Sequence, residues 1–303
     1  ELFVSHKHYV HGIQKIEAFD LLLSCIGLLI FTLIGIALFT LVERKMLSSI
    51  QRRIGPNVLS LHGYTQPLSD GLKLIFKENL VPTLPEPIIY ILAPLSSFFF
   101  SLLSWALLPF NYKNVIADLD FGLIFILALS SLSSLSIMFA GWSSNSKYAF
   151  FGALRSSAQV LSYEISIGLI VLPLILYSQS LNMYDLTTHS SNWSYMLILT
   201  PVFIMYSISI LAETNRHPFD LPEAEAELIA GYNVEFSSLF FTLFFLAEYS
   251  HMLFQCLCTS FLFLGTSSAV ILGIKSTLFM SFFIIARAIL PRYRYDQLMR
   301  LGS

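Results

Sequence analysis

Long stretches of sequence with almost no charged residues are the feature that most constrains this chain. A helix needs about 20 apolar residues to cross the roughly 30 Å of hydrocarbon in a bilayer. Five stretches meet that length with no charge or with Glu164 alone: 21–42, 87–112, 121–146, 157–184 and 186–212. Because backbone polar groups inside lipid must be paired within the protein, these stretches predict transmembrane α-helices.

The composition excludes a soluble domain of this size. Of the 303 residues, 55% are hydrophobic and 12% are charged, which leaves too few polar side chains to cover a water-exposed surface. The formal net charge of -2 provides no basic surface, so nucleic acid is excluded as a partner. The three cysteines lie in apolar runs and offer neither a disulfide framework nor a four-ligand metal set. We interpret them as core residues.

Two further spans complete the predicted fold. The range 235–265 is too long for one perpendicular helix and too short for two crossings and a turn, so we interpret it as one tilted helix. A last span at 270–290 places Lys275 and Arg287 near its ends, where long side chains reach the interface. We predict an all-α integral membrane protein with one domain and seven transmembrane helices, at about 21–42, 87–110, 121–142, 157–181, 190–212, 235–264 and 270–290.

The distribution of Lys and Arg predicts the orientation in the membrane. Most of the 17 basic residues fall in four segments that the seven spans place on one side: 43–86, 143–156, 213–234 and 291–303. Basic loops favour the inner side of a membrane. These four segments are therefore predicted to be inner loops, with the N-terminus outside and the C-terminus inside.

The first inner loop combines a turn with an amphipathic segment. Gly55, Pro56 and Asn57 form a turn signal after a cationic approach. The range 67–80 then places apolar residues on one helical face and charged residues on the other, which predicts an amphipathic helix along the membrane surface. Two interpretations remain open for this loop: binding of lipid headgroups, or entry of a lipophilic ligand from the bilayer.

The third inner loop is strongly acidic. Between 213 and 235 it contains these carboxylates: Glu213, Asp220, Glu223, Glu225, Glu227 and Glu235. Like charges held close together raise one another's pKa and titrate as a coupled set, as proton-loading groups must. Glu164 and Glu248 lie inside spans and would continue a proton path, since intramembrane carboxylates are functional candidates. The alternative is that each of them is paired to a helix end, to Arg155 or to Arg216.

Several segments resemble a known family. These strings, in this order, are similar to the signature segments of subunit 1 of mitochondrial NADH:ubiquinone oxidoreductase (respiratory complex I): Glu43-Arg-Lys with Arg53-Ile-Gly-Pro-Asn57, Gln66-Pro with Asp70 and Lys77-Glu78, Gly141-Trp with Ser144-Asn-Ser-Lys-Tyr148, Gly152-Ala-Leu-Arg155 with Ser162-Tyr-Glu164, 212–235, and Pro291-Arg-Tyr-Arg-Tyr-Asp-Gln297. The resemblance covers nearly the whole chain.

The resemblance implies a role for each matched residue. The tunnel for quinone and its mouth would be shaped by Glu43, Arg44, Arg53, Asp70 and Arg216, with Phe240, Phe241 and Phe245 near the quinone entry. The protonatable chain would consist of Glu164, Glu213, Asp220, Glu223, Glu225, Glu227 and Glu248. No redox ligands are visible in the sequence, so the subunit would couple quinone reduction to proton translocation without carrying a redox centre.

The resemblance also implies the surroundings of the chain. Ubiquinone would be the substrate, while NADH, FMN and iron-sulfur clusters would be bound by partner subunits. The expected partners are the peripheral-arm quinone-module subunits, small membrane-arm subunits, antiporter-like subunits and phospholipids. The expected location is the mitochondrial inner membrane, with the N-terminus on the intermembrane-space side and the C-terminus on the matrix side. His6, His8 and His11 are interpreted as a solvated outer segment against an accessory subunit, rather than as a metal site.

Three departures from the family pattern bear on these expectations. Family members usually continue past Gln297 into one more transmembrane helix, so we expect a helix that is lost or supplied by a separate polypeptide. Leu47 to Ile50 and Ile284 to Arg287 also depart from the usual residues of the tunnel lining. Two rival functions are a carboxylate-lined cation or proton transporter acting alone, and the homologous membrane subunit of a hydrogenase complex. The intact first loop argues against both.

Overall fold

The computed structural model describes residues 18–59, 61–80, 86–110, 116–189, 198–220, 231–265 and 269–302. These residues form α-helices and short 3-10 turns and contain no strand, which confirms the predicted all-α fold. The helices are α1 (Ala18–Ile50), α2 (Gln66–Phe76), α3 (Pro87–Trp105), α4 (Gly122–Ser143), α5 (Lys147–Ser178), α6 (Met183–His189), α7 (Thr200–Glu213), α8 (Ser238–Leu264), α9 (Ala269–Ile289) and α10 (Tyr295–Gly302).

Six of these helices are long and apolar enough to cross a membrane: α1, α3, α4, α5, α8 and α9. The shorter apolar helix α7 lies in the predicted fifth span, of which residues 190–197 are outside the described part of the chain. The range 235–264, interpreted from the sequence as one helix, contains the single helix α8. The chain is therefore a multi-pass membrane protein by the length and composition of its helices.

Two helices extend beyond the apolar ranges that predicted them. Helix α1 continues past residue 42 to Ile50, so Glu43 and Arg44 lie on a helix rather than in a loop. Helix α5 begins at Lys147, ten positions before the charge-free range at 157, and its N-cap Ser146 accepts a hydrogen bond from the backbone of Ala149 at 3.4 Å. Hydropathy marks where lipid begins, whereas hydrogen bonding and capping determine where a helix begins.

Helix α8 forms the centre of the bundle. All side chains from Met252 to Phe263 are buried, which is the pattern of a helix covered on every face. The indole of Trp105 on α3 donates a hydrogen bond of 3.0 Å to Ser250. Any functional side chain on this part of α8 therefore faces other helices of the protein rather than lipid.

Helix α2 is the amphipathic helix expected in the first inner loop. It contains no buried residue, and Leu68, Leu72 and Ile75 are exposed on its apolar face. An interfacial helix presents such a face to the headgroup region of a membrane. At its C-terminal end the helix is held to α8, because the hydroxyl of Ser238 donates to the carbonyl of Leu74 at 2.8 Å.

A single buried amide fixes the first part of the third inner loop. Gln159 on α5 donates hydrogen bonds to the carbonyls of Ala212 at 2.8 Å and Phe219 at 2.9 Å. The segment after α9 contacts the same loop from the other side. Tyr293 donates its backbone N–H to Pro218 at 3.0 Å, and its ring stacks on Phe219 at 5.5 Å. Residues 212–220 thus have a fixed position relative to α5.

Candidate functional site

Glu43 is the centre of a buried charged cluster at the C-terminal end of α1. Its side chain is 7% exposed and accepts a hydrogen bond of 2.7 Å from the phenol of Tyr249 on α8. Arg287 on α9 donates a hydrogen bond to Oε1 of the same carboxylate. A buried carboxylate must be neutralised and hydrogen-bonded to remain ionised, and these partners meet that requirement.

Arg216 connects Glu43 to a second carboxylate. Its Nη1 lies 3.4 Å from Glu43 and its Nε lies 3.5 Å from Glu248, while its guanidinium lies 4.5 Å above the ring of Tyr249. Burial by itself lowers the pKa of Arg216, but Glu248, Tyr249 and Glu43 outweigh that effect and raise the pKa above its ordinary value. Arg216 therefore stays charged and is shared between two carboxylates.

Glu213 lies at the end of α7 and is almost fully buried, with 1% of its side chain exposed. Gln255 donates a hydrogen bond of 2.7 Å to its Oε2, and His251 Nε2 lies 3.4 Å from its Oε1. Both partners belong to α8, one turn apart. The neutral amide donates to one carboxylate oxygen, and the imidazole lies beside the other.

A cavity of about 70 Å³ lies beside these residues, and most of its lining is apolar. We call it the polar cavity for the polar side chains that face it: Glu213, Glu248, His251, Ser97, Ser101, Ser133, Thr214, Asn215 and Tyr232. Oδ1 of Asn215 is buried and makes no hydrogen bond within the described residues. A cavity of this size with several hydroxyl and carboxyl groups has the room and the partners that water molecules require.

Glu164 lies on α5, further into the bundle. Its Oε2 accepts a hydrogen bond of 2.9 Å from Ser131 on α4, and its Oε1 is buried with no hydrogen-bond partner within the described part of the chain. The carboxylate interacts electrostatically with Glu213 and His251. Through these contacts and through Arg216, the carboxylates Glu43, Glu248, Glu213 and Glu164 belong to one connected region.

Arg44 and Asp70 form an exposed pair beside the buried cluster. Their side chains are 50% and 37% exposed and approach to 2.7 Å, and Gln66 donates a second hydrogen bond of 3.0 Å to Asp70. This pair joins the end of α1 to α2. Arg53, also assigned to the tunnel mouth, is exposed and donates a hydrogen bond of 2.9 Å to Gln51.

An aromatic line on α8 leads from the amphipathic helix to the charged cluster. The rings of Phe241 and Phe245 stack with centroids 6.4 Å apart, and Phe245 lies 4.4 Å from Tyr249. Phe240 faces another direction and meets the edge of Tyr90 at 5.7 Å. Of the three phenylalanines assigned to the quinone entry, two therefore point along one line to Glu43.

Asp220 belongs to a separate cluster. Its Oδ2 lies 3.0 Å from Nε2 of His217 and 3.4 Å from Nη2 of Arg292, and its side chain is 4% exposed. The remaining predicted carboxylates, Glu223, Glu225 and Glu227, lie outside the described residues, as do His6, His8 and His11. Within the described residues, no group of three or more His, Cys, Asp or Glu side chains could hold a metal ion.

The sequence did not identify several side chains of this site. Arg287 was interpreted as reaching the interface, but the structure directs it to Glu43. Tyr249, His251 and Gln255 carried no motif; the spacing of His251 and Gln255 along one face of α8 with Glu248 was the only available signal. The alternative pairing of Glu248 with Arg216 is present, while Glu164 binds Ser131.

Comparisons with known proteins find similar chains over most of the sequence. Residues 23–303 match the sequence profile of a family described as NADH dehydrogenase. The NADH-ubiquinone oxidoreductase chain 1 of Chondrus crispus is 50% identical over 264 residues, covering 83% of this chain and 81% of that protein. A subunit of the NADH-quinone oxidoreductase of Paramagnetospirillum magneticum is 50% identical over 262 residues, covering 82% of this chain and 77% of that protein. The NADH-ubiquinone oxidoreductase chain 1 of Triticum aestivum is 48% identical over 264 residues, covering 83% of this chain and 81% of that protein.

Proposed function

The chain belongs to the NADH dehydrogenase family, and from this premise we propose that it is a core membrane subunit of a proton-translocating NADH:ubiquinone oxidoreductase. In this proposal the chain binds quinone and couples its reduction to proton movement. NADH, FMN and iron-sulfur clusters belong to partner subunits, and ubiquinone is the substrate. The proposed location is the mitochondrial inner membrane, with the four inner loops on the matrix side.

Quinone binding is assigned to the region between α2 and the charged cluster. The line of Phe241 and Phe245 offers an apolar surface for an isoprenoid tail, and the exposed apolar face of α2 lies at the membrane surface where such a tail would enter. The pair Arg44–Asp70 stands at the mouth. Arg216, at the inner end of this line, is a donor suited to the carbonyl oxygens of a quinone head.

The coupling is assigned to Arg216. Reduction of a quinone to a quinol takes up two electrons and two protons, so negative charge develops transiently at the quinone head. A cation close to that charge is drawn towards it. At an effective dielectric constant of about 20, two unit charges 4 Å apart interact by about 4 kcal/mol. A change of that size weakens the attraction between Arg216 and Glu248. The carboxylate of Glu248 can then bind a proton.

From Glu248 the proposed path continues through the polar cavity. Glu248 and Glu213 both line it, and the serine and threonine hydroxyls between them, together with water, provide a hydrogen-bonded route. Glu164 lies within electrostatic range of Glu213 and is the next carboxylate towards the interior of the bundle. Antiporter-like partner subunits are proposed to respond to the change in protonation at Glu164.

The single observation that carries the proposal is the sharing of Arg216 between Glu43 and Glu248. Its test is Arg216→Gln in the assembled complex, with Lys147→Gln as a control that removes a positive charge from an exposed position. Electron transfer from NADH to a water-soluble acceptor should stay at the wild-type rate in both. Quinone reduction and the associated proton movement should fall about 10- to 100-fold in Arg216→Gln alone.

Unchanged quinone reduction in Arg216→Gln would reject the assignment of Arg216 to coupling. The broader proposal is tested by native electrophoresis of mildly solubilised membranes. Co-migration of this chain with NADH-dehydrogenase activity in a large assembly is expected. Migration alone would instead favour a carboxylate-lined transporter.

A further inference from the structure

His251 is placed to exchange protons with the acidic path. It lies on α8 one turn after Glu248 and one turn before Gln255, and its Nε2 is 3.4 Å from Oε1 of Glu213. Its side chain is 19% exposed and lines the polar cavity. The imidazole ring is nearly parallel to the ring of Phe254, at 19° with a centroid separation of 6.4 Å.

The charges around His251 make the pair with Glu213 distinctive. Glu213 has a neutral partner in Gln255, and the arginine closest in the chain, Arg216, is already shared by Glu43 and Glu248. An ionised carboxylate that is buried without a cation is costly. A proton donor beside Oε1 of Glu213 would therefore stabilise the carboxylate, and Nε2 of His251, at 3.4 Å, is placed to supply one.

We infer that His251 is a proton-carrying residue of the path, exchanging a proton with Glu213 across the cavity. In the forward step the O–H bond of the Glu213 carboxylic acid breaks and an N–H bond forms at Nε2 of His251; the reverse step restores the acid, and no electron is transferred. Imidazole suits this step because its charge changes near neutral pH. The inference rests on the proposed function, which it deepens by adding a residue outside the acidic set.

The surroundings of His251 limit which groups can take part. The carboxylates that face it are Glu213 from α7, Glu248 from its own helix and Glu164 from α5. Helices α3 and α4 contribute hydroxyls to the cavity, among them Ser97 and Ser133. Hydroxyls can pass a proton along a chain but do not store one near neutral pH. Apart from the carboxylates, the imidazole is therefore the group described around this cavity that can store a proton beside Glu213.

The test compares four variants of the assembled complex reconstituted into vesicles. His251→Gln and His251→Asn keep a polar side chain that can bond to Glu213 but cannot accept a proton. Glu213→Gln removes the carboxylate itself. Thr277→Val, at an exposed position on α9, is the control for substitution within a membrane helix. The readouts are the rate of quinone reduction, the protons moved per quinone reduced, and assembly of the complex.

If His251 carries protons, both amide variants should assemble normally and lose about tenfold in proton-coupled turnover. This is less than the roughly 100-fold or greater effect of a positioned acid or base, because water can partly replace the imidazole. Glu213→Gln should lose at least as much. Full activity in either assembled amide variant, with only Glu213→Gln impaired, would overturn the inference and leave the proposed function standing. Full activity in Glu213→Gln as well would reject the path through the cavity, and with it the proposed coupling.

Discussion

The phenol of Tyr249 donates a hydrogen bond of 2.7 Å to Glu43, although 206 positions separate the two residues along the chain. The same ring lies beneath the guanidinium of Arg216 at 4.5 Å. One side chain thus bonds to a buried carboxylate and stacks against the cation that neutralises it. Because these contacts use different parts of Tyr249, substitution can separate them.

Tyr249→Phe keeps the ring beneath Arg216 and removes the hydrogen-bond donor to Glu43. A hydrogen bond to a charged group contributes about 1.5–3 kcal/mol, so we expect a lower temperature of thermal dissociation. The rate of quinone reduction should fall by at least roughly tenfold, which corresponds to the lower end of that range. The control Tyr163→Phe removes a 2.9 Å bond to the carbonyl of Leu298 and should loosen α10 only. Wild-type kinetics in Tyr249→Phe would contradict the role given to the phenol.

Arg287→Met should destabilise the protein by leaving the buried carboxylate of Glu43 with one cation instead of two. Breaking a buried pair costs about 3–5 kcal/mol, but Arg287 is 32% exposed, so solvent screening lowers the expected loss to about 1–2 kcal/mol. Combining it with Glu43→Gln should recover at least about 0.5 kcal/mol relative to the sum of the single variants. Strictly additive losses in thermal unfolding would show that the two side chains do not interact.

Two glycines on α5 should respond oppositely to alanine. A Cβ added to Gly152 would meet the backbone of Gly231 at 3.1 Å and of Tyr232 at 3.2 Å, so Gly152→Ala should displace that turn and cost about 1–3 kcal/mol. At Gly168 the nearest atom is a Leu127 methyl at 3.9 Å, and alanine there should be neutral or stabilising by up to about 1 kcal/mol. Thermal unfolding of the assembled complex measures both, and equal effects would refute the packing argument.

Lys275→Met should weaken the end of α8 without affecting quinone chemistry. The ammonium group donates to the carbonyls of Leu264 at 2.6 Å and Gly265 at 3.0 Å, at the end of α8, where a helix leaves its last carbonyls without an intrahelical donor. Their loss should cost about 1–3 kcal/mol and increase hydrogen exchange in the last turn of α8. Lys275→Arg, which keeps donors and charge, should restore most of the protection. Unaltered exchange in Lys275→Met would show that the carbonyls find other partners.

Most of the fold follows from the sequence because lipid imposes a simple rule on composition. Apolar runs of about 20 residues or more, with at most two charged residues each, predicted the membrane helices, and the 31 positions from 235 to 265 contain one helix because two crossings do not fit. The ends of the helices were harder to predict. Helix α1 continues through Glu43 and Arg44 to Ile50, since charged side chains at a membrane surface do not interrupt backbone hydrogen bonding.

The candidate site was only partly predictable, because its partners are far apart in the chain. Glu164, Glu213 and Glu248 could be identified as charged residues in or next to apolar helices. No local pattern could show that Arg287 reaches Glu43, 244 positions away, or that His251 faces Glu213. Both contacts depend on how α1, α7, α8 and α9 are rotated about their axes, which tertiary packing determines.

The two hydrogen bonds of Gln159 set limits on how this chain can vary in length. Its amide holds Ala212 and Phe219 simultaneously, so the number of residues between these positions is fixed by the span of one side chain. An insertion or deletion there would break one of the bonds and leave a buried carbonyl unpaired. The interval from 212 to 219 should therefore keep its residue count wherever the glutamine is kept.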